Sequence, residues 1–197
     1  MRRPIAGRVR IQSGRWKGRA LTVPASARPT SGRARAGLFS ILGERIQGAR
    51  VLDLYAGSGA VGLEAVSRGA ARAVLVDADP GAGSILRELA RWKVPEEEVR
   101  VLREPAARAL SRLAASGERF DVVFADPPYA DAGRYDALAG VAAVLAEGGV
   151  AIVQTDAGER SAPPEIPGLR LSPIGRREYG RNVFHFLAFF DETARKC

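Results

Sequence analysis

Cysteine is nearly absent from this 197-residue chain: the single one is Cys197. No intrachain disulfide can form, and a cysteine-based zinc site is not expected. Long apolar runs are also missing, none approaching the ~20 residues needed to span a bilayer. Arg2-Arg3 near the start have no apolar segment behind them, so no secretory signal peptide is expected. A cytoplasmic location fits these absences. There is one histidine, His185, inside an apolar run, and it reads as structural. Acidic residues are scarce in one region only. Residues 1–50 hold twelve of the thirty Lys/Arg residues but one acid, Glu44, whereas the rest is slightly acidic. An arginine-rich composition overall does not explain why acids avoid the first quarter. Such asymmetry points to a basic arm on a near-neutral body and a polyanionic partner.

The length suits one α/β domain with a small appendage. Residues 8–11 and 19–23 alternate in polarity around the turn-like Ser13-Gly14-Arg15-Trp16-Lys17-Gly18, which predicts a short hairpin. Trp16, between Arg15 and Lys17, is either a base-stacking residue or a tryptophan packed beneath the hairpin. A helix of about fifteen residues should follow, capped by Thr30 or Ser31, with Leu38, Ile41, Leu42 and Ile46 on one face and Phe39 beside it. Arg28, Arg33 and Arg35 cluster at its start without acids nearby in sequence. They read as phosphate ligands or as a solvated face.

From Ala49 onward strand and helix alternate. Strands are predicted at 51–55, 73–77, 99–102, 120–125 and 150–153, with helices at 59–68, 81–92, 105–115 and 135–146. Repeated β-α units imply a parallel sheet with helices on both faces. Two further β-rich runs are expected near 169–174 and 182–190, around Arg176-Arg177-Glu178-Tyr179-Gly180.

Two motifs carry the chemistry. Gly57-Ser58-Gly59-Ala60-Val61-Gly62 is a G-x-G-x-x-G turn between strand and helix, which a dinucleotide fold would also satisfy. Asp53, ending the strand ahead of it, would repel a pyrophosphate and suits a cationic ligand such as the ammonium and sulfonium of S-adenosylmethionine. Asp77, closing the next strand, can accept both hydroxyls of a ribose. The alternative for both carboxylates is capping of loop amides. Asp126-Pro127-Pro128-Tyr129 follows an apolar strand. Its two prolines stiffen the exit from the strand. The Asp126 carboxylate, the Pro127 carbonyl and the Tyr129 ring suit a planar base with an exocyclic NH2. The alternative is a proline-ended strand with a surface turn.

In this order these motifs resemble amino-methyltransferases of the class I, adenosylmethionine-dependent fold. With Arg10-Ile11, Gly14-Arg15-Trp16-Lys17-Gly18-Arg19, Arg28-Pro29-Thr30, Arg33-x-Arg35 and Leu38-Phe39 included, the chain resembles the RsmD family. Residues 53–69 and the late Tyr179-Gly180 fit it too. The resemblance implies a Rossmann-like, seven-stranded, mostly parallel sheet over residues 28–197, with a basic N-terminal hairpin extension over 1–27. It implies methyl transfer from S-adenosylmethionine to the N2 amine of a guanine in 16S rRNA, by a monomer without metal, on rRNA or the assembling small subunit. Cofactor contacts are implied at Asp53, Tyr55, Ala56, Gly57, Ser58, Gly59, Asp77, Ala78, Ala106 and Asp126. Catalysis is implied at Asp126, Pro127, Pro128 and Tyr129, and RNA contact at Arg10, Arg15, Trp16, Lys17, Arg19, Arg28, Thr30, Arg33 and Arg35. The chain departs from the family at Gly32 and Ala36, where acids are usual, and at Pro105-Ala106, where an Asp or Asn often precedes the alanine. Rival readings are a DNA adenine-N6 or cytosine-N4 methyltransferase, a nicotinamide oxidoreductase and a non-catalytic RNA-binding module.

Overall fold

The computed structural model describes residues 5–25, 30–128, 135–158, 165–166, 168 and 171–189. Strands β1 (Ile5–Arg10) and β2 (Ala20–Pro24) pair antiparallel as a separate two-stranded sheet. Helix α1 (Gly32–Leu42) starts at Ser31, whose hydroxyl accepts the Ala34 N–H. The repeating units follow: β3 (Arg50–Leu54), α2 (Ala60–Ser67), β4 (Arg72–Val76), α3 (Gly83–Trp92), β5 (Val99–Leu102), α4 (Ala106–Ala115) and β6 (Phe120–Ala125). A four-residue helix α5 (Val141–Val144) leads into β7 (Leu145–Asp156), and the tail forms β8 (Ser172–Tyr179) and β9 (Asn182–Ala188).

The main sheet has seven strands in the order β5-β4-β3-β6-β7-β9-β8. The first five run parallel, and β9 lies antiparallel to both β7 and β8. Central strands are buried on both faces, as their largely apolar composition requires. One core layer joins α1, α2 and α3 to one face of the sheet and takes in Ile11, Trp16 and Leu21 of the hairpin. The other joins α4 and α5 to the opposite face.

Several local expectations give way. The predicted helix over 135–146 is reduced to a 3-10 turn at Asp136–Leu138 and the short α5. Leu145 and Ala146 are buried, and β7 begins there by pairing Leu145 with Phe120, so packing overrides a helix-friendly composition. Gly148, with φ 69°, accompanies a register shift against β6 and lets β7 continue through what reads as a stop. The stretch Arg176–Tyr179, expected as a connector, is the second half of β8. Both faces of that edge strand are largely exposed, so no alternation marks it in sequence. In α1 the buried face is Ala34, Arg35, Leu38, Phe39 and Leu42, while Ile41 is 39% exposed. Gly37 lies within this helix because a Cβ there would stand 2.2 Å from the Tyr179 ring of β8.

Candidate active site

Strand register assembles the site. Leu54 pairs with Val76 on one side and Ala125 on the other, so Tyr55, Asp77 and Asp126 leave the sheet side by side. The Asp126 N–H donates to the Leu54 carbonyl at 3.5 Å, and the Ala56 N–H to the Val76 carbonyl at 3.0 Å. This is the carboxyl edge of the parallel strands, where open α/β sheets bind ligands. The glycine turn and the D-P-P segment therefore share one crevice.

The turn itself is held by unusual backbone. Tyr55, Gly57 and Gly59 have φ of 61°, 55° and 73°, a region glycine enters freely and tyrosine does not. A tyrosine in this conformation marks a site where local strain is tolerated for position. Asp77 secures the turn: its Oδ2 accepts the Gly57 N–H at 2.6 Å, and its Oδ1 accepts the Asp79 N–H at 2.8 Å. Burial raises the Asp77 pKa, these two N–H donors oppose the rise, and the Asp79 carboxylate adds to it. Asp53 is 2% exposed and accepts the Gly62 N–H at 2.8 Å. Burial pushes its pKa up to about 7; the Gly62 donor works against this, and Asp77 adds a smaller upward push. The capping reading of both carboxylates thus describes contacts the structure contains. Gly62 must be glycine for packing reasons, because its Cβ would stand 2.1 Å from Leu75 and 3.2 Å from Asp53. Ser58 is buried within the turn and Ala78 is exposed beyond Asp77. Ala106 is buried at the start of α4, which follows β5 and so opens at the same edge.

Asp126 is partly buried, Pro127 is buried and Pro128 is exposed. Tyr129 and Arg28 lie outside the described residues. Sequence reasoning missed Gln154. It follows Val153, which pairs with Ala125, and its Nε2 donates to Asp126 Oδ2 at 2.8 Å. The available signal was Gln154-Thr155, two polar residues directly after an apolar strand; both are buried. Thr155 bonds His185 at 3.0 Å, which gives that histidine its structural setting.

The basic residues of the hairpin turn do not converge on this crevice. The hairpin turn packs on the far end of α2: the Arg15 N–H donates to the Ser67 carbonyl and the Trp16 N–H to the Ser67 hydroxyl. Gly14 approaches that carbonyl so closely that a Cβ would collide with it. The eight residues of α2, roughly 12 Å of helix, lie between the turn and the glycine loop. Trp16 is 6% exposed and packs on Trp92 with ring centroids 5.5 Å apart, so its ring is a core element and not a stacking platform. Arg15 pairs with Glu98. Arg35 is 2% exposed, and its Nε donates to Glu64 at 3.2 Å, its Nη1 to the Thr30 carbonyl and its Nη2 to the Arg10 carbonyl. The acid that pairs with Arg35 comes from another helix, which sequence neighbours cannot reveal, and it removes Arg35 from the phosphate ligands. Thr30 is buried. Arg10, Lys17, Arg19 and Arg33 are exposed. Arg19 lies over Trp92 at 5.0 Å and borders a hollow of about 300 Å³ shared with Arg8, Glu88, Arg91 and Lys93. A second hollow, of about 210 Å³ beside Arg72, Glu96 and Arg100, also sits near the amino edge, away from Asp126.

Comparison with known proteins places the fold. Over 127 residues the chain is 42% identical to the ribosomal RNA small subunit methyltransferase D of Escherichia coli K12, a match covering 63% of this chain and 62% of that protein. The solved structure of a hypothetical protein from Thermus thermophilus is 39% identical, with TM-score 0.74, covering 90% of this chain and 98% of that one. An O-methyltransferase family protein of Burkholderia thailandensis, 16% identical, shares the fold with TM-score 0.58, over 81% of this chain and 57% of its own. The fold is thus α/β with a seven-stranded, mostly parallel sheet of the Rossmann-like kind shared by these structures. From residue 9 to residue 188 the chain matches the profile of the family described as conserved hypothetical protein 95, and it belongs to that family.

Proposed function

We propose that this chain transfers a methyl group from S-adenosylmethionine to the exocyclic N2 amine of a guanine in 16S rRNA as the small subunit assembles. The observation that carries this reading is the placement of Asp126 directly beside the glycine turn, so that an amine acceptor and a cofactor cradle open on one crevice. The relative named ribosomal RNA small subunit methyltransferase D supports the reaction class and the RNA.

The residues present fit that cofactor. Two carboxylates, Asp53 and Asp77, stand at adjacent strand ends, and a pyrophosphate would face both. A cationic ligand with a free ribose diol meets them favourably. The positive φ of Gly57 and Gly59 lets the backbone approach the ligand without a side chain between. Tyr55, Ala56, Ser58, Ala78 and Ala106 complete the cradle. Bound there, S-adenosylmethionine supplies an electrophilic methyl group on a sulfonium sulfur.

The chain's own task is to make a poor nucleophile present its lone pair. Asp126 and the Pro127 carbonyl accept hydrogens from the amine, orient it and offset the positive charge developing on nitrogen. The two prolines keep that carbonyl in place, and Tyr129 stacks on the extruded base. Residues 28–197 form the catalytic domain, and residues 1–27 are its basic extension. Arg10, Lys17, Arg19 and Arg33 serve the RNA. Because Lys17 and Arg19 stand toward the edge opposite Asp126, the substrate must be extended enough to reach both edges. The test is Asp126→Ala. It should fold and bind S-adenosylmethionine while methyl transfer to small-subunit RNA falls by about 10²–10³. Undiminished transfer would overturn the assignment. Mapping the methylated nucleotide tests the guanine N2 target, and label appearing in duplex DNA alone would replace it.

A further inference from the structure

A buried polar chain reaches the Asp126 carboxylate. Gln154 is 2% exposed; its Nε2 donates to Asp126 Oδ2 at 2.8 Å, and its Oε1 accepts the Thr30 hydroxyl at 3.0 Å. The Thr30 carbonyl accepts Arg35 Nη1 at 2.7 Å, and Arg35 in turn donates to Glu64 on α2, the helix that the glycine turn opens. Thr30, Arg35 and Glu64 are all buried. The chain therefore ties the helix behind the cofactor cradle to the acceptor at the other side of the crevice.

From Arg35 to Asp126 the hydrogens run one way. An ionised carboxylate only accepts, so the Gln154 amide must turn its NH2 toward Asp126, since the reversed amide would set two oxygens 2.8 Å apart. That leaves Oε1 facing Thr30, whose hydroxyl donates. A buried amide is costly unless both its ends are used, and here both are. An apolar side chain at 154 would fill the same place beside Phe184, its partner on β9, with no such requirement.

We infer that Gln154 is a positioning residue that sets the plane of the Asp126 carboxylate, with Thr30 holding Gln154 in turn. This rests on Asp126 being the amine acceptor of the proposed reaction. A displacement of about 1 Å at a reacting group costs roughly 10²-fold in rate. Gln154→Leu should therefore lower kcat for methyl transfer by about 10- to 100-fold, while KM for S-adenosylmethionine stays within about twofold. Thr30→Val should lower kcat in the same direction by less. Thr30→Ser, which keeps the hydroxyl, should recover most of that loss. A second readout needs no activity: the side-chain amide resonances of Gln154 in a 1H–15N spectrum should move in Asp126→Ala and in Thr30→Val. A folded Gln154→Leu enzyme with unchanged kcat overturns the inference, as do resonances that stay in place. If Gln154→Leu does not fold, the Thr30 pair and the resonances decide. If the wild-type protein transfers no methyl group to any RNA while the resonances move as expected, the proposed reaction fails and the hydrogen-bonded chain stands.

Discussion

Binding of S-adenosylmethionine should release a proton from Asp53. Burial raises this carboxyl from 3.8 to about 7, so at pH 6 the folded, ligand-free protein holds it largely protonated. The folded state then binds the proton more tightly than the unfolded chain. The resulting stability is complete below pH 3.8 and is lost as pH rises toward 7, an interval of about three units or about 4 kcal/mol. A cation held about 5 Å away, at an effective dielectric near 20, contributes about 3 kcal/mol to the ionised form, about two pKa units. A pKa falling from about 7 to about 5 makes cofactor affinity about 50-fold tighter at pH 8 than at pH 5. Calorimetric titration at pH 6 in buffers of different ionisation enthalpy should show about 0.8 proton released per cofactor bound. Asp53→Asn keeps an acceptor for the Gly62 N–H and cannot ionise. It should bind with an affinity nearly independent of pH, release no proton, and be the more stable protein at pH 8. Wild-type affinity that is flat from pH 5 to 8 would refute the idea that a ligand charge reaches Asp53 and leave helix capping as its whole role. A dependence that survives in Asp53→Asn would belong to Asp77, whose pKa is raised too.

Gly62→Ala should cost about 1–3 kcal/mol, read as a lowered melting temperature, because its methyl would press on Leu75 and on Asp53 beneath it. Arg35→Ala should cost about 3–5 kcal/mol by removing one of the two arginines that pair with the fully buried Glu64 and the donor to the Thr30 and Arg10 carbonyls, whereas Arg33→Ala should leave the denaturation midpoint in place. Trp16→Ala should cost about 3–5 kcal/mol through the lost packing on Trp92. Lys17→Ala should instead weaken RNA binding and reduce the slope of log affinity against log salt by about one, a result that titration at several ionic strengths can check.

The parallel core was legible because its strands are largely apolar and some helices begin at recognisable start signals, Ser31 before α1 and Pro105 before α4. What periodicity could not convey was competition between neighbours. Val141–Ala146 reads as helix in isolation, yet Leu145 pairs with Phe120 and begins a strand. Residues 172–179 carry no alternation because both faces of β8 are largely exposed, and the strand is defined by its hydrogen bonds to β9 alone.

At the site, Asp53, Gly57, Gly59, Asp77 and Asp126 could be read because each lies near the end of a predicted parallel strand or in the turn after it, and such ends meet at one edge whatever the register. Gln154 could not be read in this way. Its importance depends on β7 lying beside β6 with Val153 opposite Ala125, a pairing no local pattern encodes. Part of the basic arm was misjudged for the same reason in reverse. Arg15, Trp16 and Arg35 look like ligands for phosphate or base when only their sequence neighbours are counted. Glu98, Trp92 and Glu64 then meet them from 29 to 83 residues away; Trp16 and Arg35 become buried structure, while Arg15 stays about half-exposed in its pair with Glu98. An arginine's availability is set by the acids that fold against it, so a charge count along the chain bounds the basic surface only from above. Arg10, Lys17, Arg19 and Arg33 are the proposed RNA contacts that stay exposed.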